Sequence, residues 1–256
     1  MQTAAPAQLE FSMLHDAHPL RIEAARGLTR SLMVSFTSVG NHRLKWPPKE
    51  FVKMASQEGK NHVITVTDIS RSWMNGTGVA ARIKTVISDY ILANGITKVM
   101  AIGSSMGAYC ALIFGQMIPL TRIIAFAPQY SVHPDILPEE TRWNWFRKDI
   151  ADWPHPALDT LPQAPAKIFM FHGDSEDEQR HWRRIGRADN LTHYIFKDQD
   201  HDFVARLKEA SALHKLVRAA IHDNPWRVNK LVGWCGGVTR AQFEAENTEF
   251  KSGSYP

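Results

Sequence analysis

The chain has 256 residues, of which 44% are hydrophobic and 22% are charged, and these values exclude a disordered or collagen-like chain. Its formal charge of +4 comes from lysines and arginines scattered along the sequence, whereas a nucleic-acid-binding protein carries a concentrated basic footprint. Residues 1–10 lack the features of a signal peptide, and Cys110 and Cys235 are too far apart in sequence to suggest a disulfide framework. We therefore expect a cytoplasmic protein.

Strand-like and helix-like segments alternate along the chain. Runs rich in β-branched and other apolar residues predict strands at 31–36, 62–67, 98–102, 123–126, 167–172 and 193–196. Apolar residues at helical spacing predict helices at 49–57, 79–93, 105–117, 178–186 and 203–221. This alternation predicts an α/β fold with a mostly parallel central sheet and helices on both faces.

One stretch, 99–120, contains no charged residue and is long enough to span a bilayer. It is interrupted by glycines, serines and Pro119, so a strand, a tight turn and a buried helix explain it better. We expect no membrane span.

Two regions stand apart from the alternation. Residues 129–165 form a long excursion between predicted strands and contain Trp143, Trp145 and Trp153, and such excursions are often lids or binding loops. We expect a single domain over 1–225 with a candidate small lid at 129–165. Residues 226–256 are expected to form a C-terminal extension that packs in part and is flexible at its end.

Residues 103–107, Gly-Ser-Ser-Met-Gly, match the pattern G-x-S-x-G between a predicted strand and a predicted helix, which is the context that gives the pattern its meaning. A serine on such a sharp turn needs small residues two positions before and after it, and both are glycine here. The helix that follows offers free N–H groups and a positive dipole end to a developing oxyanion. The motif predicts that Ser105 is a nucleophile.

The order of strand, G-x-S-x-G turn, helix, long excursion, strand ending in His-Gly-Asp, and strand followed by a histidine resembles the α/β-hydrolase superfamily over roughly residues 28–222. The resemblance implies a serine esterase-like enzyme in which a serine, an acid and a histidine follow one another along the chain. No H-x-x-x-H or H-E-x-x-H spacing predicts a metal site, and no cofactor is expected.

The acid that the resemblance implies lies in the turn after the strand at 167–172, within residues 173–178, Gly-Asp-Ser-Glu-Asp-Glu. Many family members place the acid three residues after the glycine, which corresponds to Glu176 here. Aspartate is the commoner acid, however, and Asp177 stands one residue further on. We expect Asp177, with Glu176 next and Asp174 third. The alternative is a solvated acidic turn without a catalytic role.

The resemblance assigns the catalytic base to His201, which follows the strand at 193–196 in a loop before a predicted helix. Open α/β sheets bind ligands at that edge. His172 lies within a strand and is expected to be buried and structural. By position, the oxyanion donors would be the backbone N–H groups of Met106 and Thr37.

Substrate contacts are expected from Arg71 and Trp73, which follow the strand at 62–67 on the same edge of the sheet. They would suit an anionic or sugar-like substrate. The alternative is that Arg71 orders the loop by pairing with Asp68 or with a backbone carbonyl.

Together these features predict a serine hydrolase that cleaves a carboxylic ester or thioester of a small molecule through a Ser-His-acid triad and an acyl-enzyme. Two alternatives stay open: a non-catalytic binding or scaffold protein on a hydrolase fold, and an acyltransferase with the same triad. An acid turn too far from His201 to bond it would favour the binding protein. The sequence does not indicate an oligomeric state.

Overall fold

A computed structural model describes residues 9–247. Its strands are β1 (Ser12–Ala17), β2 (Leu20–Ala25), β3 (Ser31–Phe36), β4 (His62–Asp68), β5 (Lys98–Ser104), β6 (Arg122–Phe126), β7 (Lys167–Gly173), β8 (Leu191–Phe196) and β9 (Gly237–Thr239). Its helices are α1 (Val52–Ser56), α2 (Val79–Ala93), α3 (Met106–Met117), α4 (Asn144–Arg147), α5 (Glu176–Trp182), α6 (Phe203–Glu209), α7 (Leu213–Ile221), α8 (Pro225–Trp234) and α9 (Arg240–Glu246).

All of these strands belong to one sheet, in the order β1-β2-β4-β3-β5-β6-β7-β8-β9. The six strands from β4 to β8 in this order are parallel. The hairpin of β1 and β2 at one edge and β9 at the other edge run antiparallel to their neighbours. The predicted α/β fold with a mostly parallel sheet is therefore confirmed, and the antiparallel edge strands are additions that the sequence patterns did not predict.

The parallel strands are buried on both faces, as expected when helices cover both sides of a sheet. In β3, Leu32 and Val34 contribute to the core on one face, whereas Met33 contributes to the core on the other. Helix α3 lies deep in the first core, where residues 106–114 are all buried. The end of β5, within the sheet, and the start of α3, in the core, are therefore both held by tight packing.

The single helix predicted at 203–221 is wrong, because the structure has two helices there. The apolar positions explain the break: Leu207 and Leu213 are six residues apart, so one continuous helix would turn the second apolar face away from the sheet. The chain ends α6 at Glu209, passes through Ser211 with a φ of 53°, and begins α7 at Leu213. Both helices then bury their apolar residues in the same core.

The excursion at 129–165 contains only the short helix α4 and one isolated bridge between Ser131 and Ala157. It is attached to the domain by hydrogen bonds, among them that of the Tyr109 hydroxyl with the His155 carbonyl at 2.5 Å. In the C-terminal extension, α8 packs on α7 and β9 extends the sheet. The flexible end expected there falls on residues from 248 onward, which lie outside the described residues. Within residues 9–247, no helix is both long enough and apolar enough to cross a bilayer.

Candidate active site

Ser105 stands on the sharp turn between β5 and α3, with φ 55° and ψ −123°. This left-handed backbone is strained for a residue with a side chain and is typical of functional turns. The flanking glycines make the turn sterically feasible. A Cβ on Gly103 would lie 2.2 Å from the Gly107 carbonyl carbon, and a Cβ on Gly107 would lie 2.3 Å from the Phe36 oxygen. A larger residue at either position would overlap backbone atoms, so the turn or the backbone beside it would have to shift.

A continuous line of hydrogen bonds joins a serine, a histidine and a glutamate. The Ser105 hydroxyl lies 2.9 Å from Nε2 of His201, and Nδ1 of His201 lies 2.7 Å from Oε1 of Glu178. A carboxylate only accepts hydrogen bonds, so Nδ1 carries the ring proton and Nε2 accepts from the serine. This is the tautomer in which a histidine acts as a base toward a hydroxyl.

The carboxylate beside His201 is Glu178, so the expectation of Asp177 or Glu176 is corrected. Helix α5 begins at Glu176, and both expected acids lie on its outer face, where they pair with Arg180. Glu178 is the third residue of the helix and points inward, with 1% of its surface exposed. The helix phase, rather than the distance from the glycine, therefore decides which acid meets the histidine.

A local signal for this arrangement stands in the sequence. Ser175 caps the helix by accepting a hydrogen bond from the Glu178 N–H, which is the spacing of the S-x-x-E helix start. Asp174, the third expected acid, instead accepts from the Gln199 N–H at 3.1 Å. It ties the acid turn to the loop that carries His201, and its role is positional.

Glu178 is held in its ionised form. Burial alone would raise its pKa, but the hydrogen bond and charge of His201, with smaller contributions from His172 and His181, lower the pKa to about 2. A glutamate that is ionised at neutral pH can orient an imidazole and stabilise the imidazolium that forms during proton transfer.

One of the two expected backbone oxyanion donors is already engaged. The Thr37 N–H donates to the Val66 carbonyl at 3.1 Å, so that expectation is corrected. The neighbouring Ser38 N–H donates to the Glu50 carboxylate. Met106, as the first residue of α3, has no acceptor for its N–H within the helix. The Thr37 hydroxyl is buried without a hydrogen-bond partner.

The expected substrate contacts of Arg71 and Trp73 are also corrected, because both side chains are fully buried. The Arg71 guanidinium donates to four carbonyl oxygens, which belong to Val39, Ile69, His42 and Lys45. It fastens the loop after β3 to the loop after β4. This is the loop-ordering alternative, and it leaves Arg71 no exposed surface for a substrate.

Trp73 reaches the serine through a glutamine that the sequence patterns did not single out. Its indole N–H donates to Oε1 of Gln129 at 3.2 Å, and Nε2 of Gln129 lies 2.7 Å from the Ser105 hydroxyl oxygen. Trp143, from the excursion, packs against Trp73 and lies beside His201, with ring centroids 5.8 and 6.2 Å apart respectively. These side chains enclose the serine, which is 6% exposed.

A second carboxylate–imidazole pair lies close by. Nε2 of His181, on α5, is 2.8 Å from Oε2 of Glu140, and Arg142 also pairs with this carboxylate. Burial would raise the Glu140 pKa, but the hydrogen bonds of His181 and Arg142 lower it to about 2. The other nitrogen of His181 accepts from the Tyr130 N–H at 3.1 Å. This pair anchors the start of the excursion.

His172 is buried beneath the site, as expected. Its Nε2 lies 2.9 Å from the Pro128 carbonyl oxygen and its Nδ1 lies 2.9 Å from Nε2 of His193. Burial lowers the His172 pKa to about 4 and the His193 pKa well below its usual value. Over the described range 9–247, no group of three or more His, Cys, Asp or Glu side chains is arranged to hold a metal ion.

Comparison with other proteins gives matches in structure only. No protein-family model matches the chain, and the curated proteins give no match either. An α/β serine hydrolase without a lid from Xanthomonas campestris matches with a TM-score of 0.54 at 14% identity, over 87% of this chain and 97% of that one. The capsule O-acetyltransferase of Neisseria meningitidis serogroup A matches with a TM-score of 0.51 at 13% identity, over 79% of this chain and 93% of that one. A carboxylesterase from Bacillus subtilis matches with a TM-score of 0.50 at 13% identity, over 84% of this chain and 92% of that one. At such identities the likeness is one of fold.

Proposed function

The chain has the α/β-hydrolase fold, and on that premise we propose that it is a serine hydrolase that cleaves a carboxylic ester or thioester through Ser105, His201 and Glu178. The observation that carries the proposal is the unbroken series of hydrogen bonds from the Glu178 carboxylate to His201, at 2.7 Å, and from His201 to the Ser105 hydroxyl, at 2.9 Å. The serine lies on a strained turn. Nucleophile, base and orienting acid need this mutual geometry.

The proposed reaction has two steps. In the first, the Ser105 oxygen attacks the substrate carbonyl while its proton passes to Nε2 of His201. The oxyanion accepts a hydrogen bond from the Met106 N–H at the start of α3. The carbon–oxygen or carbon–sulfur bond then breaks, and His201 returns the proton to the departing alcohol or thiol.

In the second step, water attacks the acyl-enzyme. His201 takes a proton from the water as the hydroxide adds to the acyl carbon. The tetrahedral intermediate collapses, the bond to the Ser105 oxygen breaks, and that oxygen regains its proton from His201. A carboxylic acid leaves. The ionised Glu178 stabilises the imidazolium in both steps.

The 2.7 Å contact between Glu178 on α5 and His201 removes the observation that would have favoured the binding-protein alternative, an acid turn out of reach of the histidine. An acyltransferase would use the same acyl-enzyme and differ only in the acceptor.

Cys110 and Cys235 are both unpaired thiols, which supports the cytoplasmic location that we expect from the sequence.

The test is covalent labelling with a fluorophosphonate probe, followed by a panel of p-nitrophenyl esters and acyl thioesters. We expect wild type and Ser104→Ala to be labelled and Ser105→Ala to remain unlabelled. Ser104 is the matched control because it is the adjacent serine at the end of β5. Absence of labelling in folded wild-type protein would overturn the proposal. Product analysis with added alcohols would reveal an acyltransferase.

A further inference from the structure

The environment of Gln129 assigns it a defined direction of hydrogen bonding. Its side-chain oxygen faces the Trp73 indole N–H, which can only donate, so the amide group turned toward Ser105 is NH₂. Gln129 therefore donates to the serine oxygen at 2.7 Å. The serine hydroxyl in turn must send its own proton to Nε2 of His201.

The backbone around Gln129 is held on both sides. Its preceding residue, Pro128, offers its carbonyl to the buried His172 at 2.9 Å, and the following residue, Tyr130, donates its N–H to the buried His181 at 3.1 Å. Gln129 itself has no exposed surface. Two buried histidines outside the Ser-His-Glu line thus fix one glutamine against the nucleophile.

We propose that Gln129 is a further catalytic residue that donates a hydrogen bond to the nucleophilic oxygen in both half-reactions; this rests on the hydrolase function proposed above. When the Ser105 proton moves to His201, the serine oxygen gains negative charge, and a hydrogen bond to a charged oxygen is about twice as strong as one to a neutral oxygen. The bond is therefore stronger in the transition state than in the resting enzyme, which is the condition for catalysis.

The same donor acts when the acyl-enzyme breaks down. The bond between the acyl carbon and the serine oxygen then breaks, its electron pair stays on the oxygen, and Gln129 stabilises that charge until His201 returns the proton. Trp73 is a positioning residue for this donor, because its indole N–H holds the amide in the required orientation.

The experiment measures the second-order rate of fluorophosphonate labelling across pH for wild type, Gln129→Met, Trp73→Phe and the double variant. Methionine keeps the length and apolar stem of glutamine but cannot donate. We expect Gln129→Met to lower the plateau rate about 10- to 100-fold while the pH of half-maximal rate stays unchanged. Trp73→Phe should lower the rate about 3- to 10-fold alone and have no further effect in the Gln129→Met background.

Gln116→Met is the matched control, because Gln116 donates its amide to the Thr160 carbonyl, away from the serine. It should label at the wild-type rate. Labelling of Gln129→Met at or above the wild-type rate would overturn the inference, and a faster rate would identify Gln129 as a cover that blocks the serine. Additive losses in the double variant, or a shifted pH profile, would also overturn it. In each case a labelled wild type leaves the hydrolase proposal standing.

Discussion

Two buried glutamates in this protein are each hydrogen-bonded to a histidine. The two histidines differ in the group that their second ring nitrogen contacts. Glu178 and His201 are 2.7 Å apart, and the free nitrogen of that imidazole faces the Ser105 hydroxyl. Glu140 and His181 are 2.8 Å apart, but the second nitrogen of His181 faces the backbone N–H of Tyr130. The distances are the same within 0.1 Å, so the partner on the far side of the ring decides what each pair does.

Exposure separates the pairs further. The His201 side chain is 22% exposed, whereas the His181 side chain is 2% exposed. An imidazole that must exchange protons with a substrate needs such access, and one that holds a backbone N–H does not. In the function proposed above, the first is the reactive pair; we call the second the anchoring pair.

The largest expected effect separates the two histidines. His201→Asn should reduce ester hydrolysis at least about 10³-fold, because the serine loses its base. His181→Asn should lower the free energy of unfolding by about 1–3 kcal/mol, because the Tyr130 N–H loses its acceptor and the Glu140 carboxylate keeps only Arg142 as a partner. The rate of ester hydrolysis by His181→Asn should fall less than about tenfold. Steady-state kinetics and urea unfolding of both variants measure this, and the reverse pattern would show that the two roles are exchanged.

The two glutamates should differ in the same way. Glu178→Gln should lower kcat about 10³-fold, since a neutral amide neither fixes the tautomer nor stabilises the imidazolium. Glu140→Gln keeps the shape of its side chain and should act mainly on stability. The measurement is kcat on one ester, with unfolding curves as the control. Equal losses of kcat in both variants would mean that the anchoring pair also takes part in the chemistry.

The pH dependence of stability sharpens the contrast, because it should come from buried histidines that do not react. Burial lowers the pKa of His172 from 6.5 to about 4. Between these values the unfolded chain binds a proton that the native protein does not, so stability falls as pH decreases through this window. The loss is at most about 3 kcal/mol. Burial lowers the pKa of His181 and His193 as well, so they add to the same slope.

Urea unfolding at several pH values between about 6.5 and about 4 checks this prediction. His172→Gln should be less stable than wild type at neutral pH and should lose less stability on acidification. An unchanged slope in the variant would assign the acid sensitivity to other groups.

The smallest effect is expected at the acids first predicted from the sequence. Asp177→Asn and Glu176→Gln should change kcat/KM less than about twofold and leave stability almost unchanged, because exposed ion pairs contribute little. Both carboxylates face solvent beside Arg180. Kinetics beside Glu178→Gln provide the comparison. A loss of activity as large as that of Glu178→Gln would require α5 to turn a different face toward His201.

Much of the arrangement could be predicted from sequence because it depends on local chain geometry. The turn that carries Ser105 needs glycine at 103 and 107 for the close contacts that the structure contains, so the pattern was informative. His201 follows the carboxyl end of a strand, and parallel strands bring their carboxyl ends together on one side of the sheet. The central strands were predictable because they are rich in apolar and β-branched residues.

The acid was missed because its position depends on where a helix begins. Counting from the glycine treats residues 173–178 as an extended turn, whereas Ser175 starts α5 and sets its phase. Gln129, Arg71 and the Thr37 N–H were missed or misassigned for another reason. Their roles depend on partners distant in sequence, and no local pattern indicates whether a side chain or N–H already has a partner.

Strand β9 has a practical consequence for shortened versions of the chain. It covers the outer edge of β8, and β8 leads directly into the loop of His201. Removing residues 237–247 would turn β8 into an unpaired edge strand, which invites pairing with other molecules and slippage of its register. A trimmed protein would then aggregate and misplace His201 for the same reason, the loss of strand β9 at the rim of the sheet.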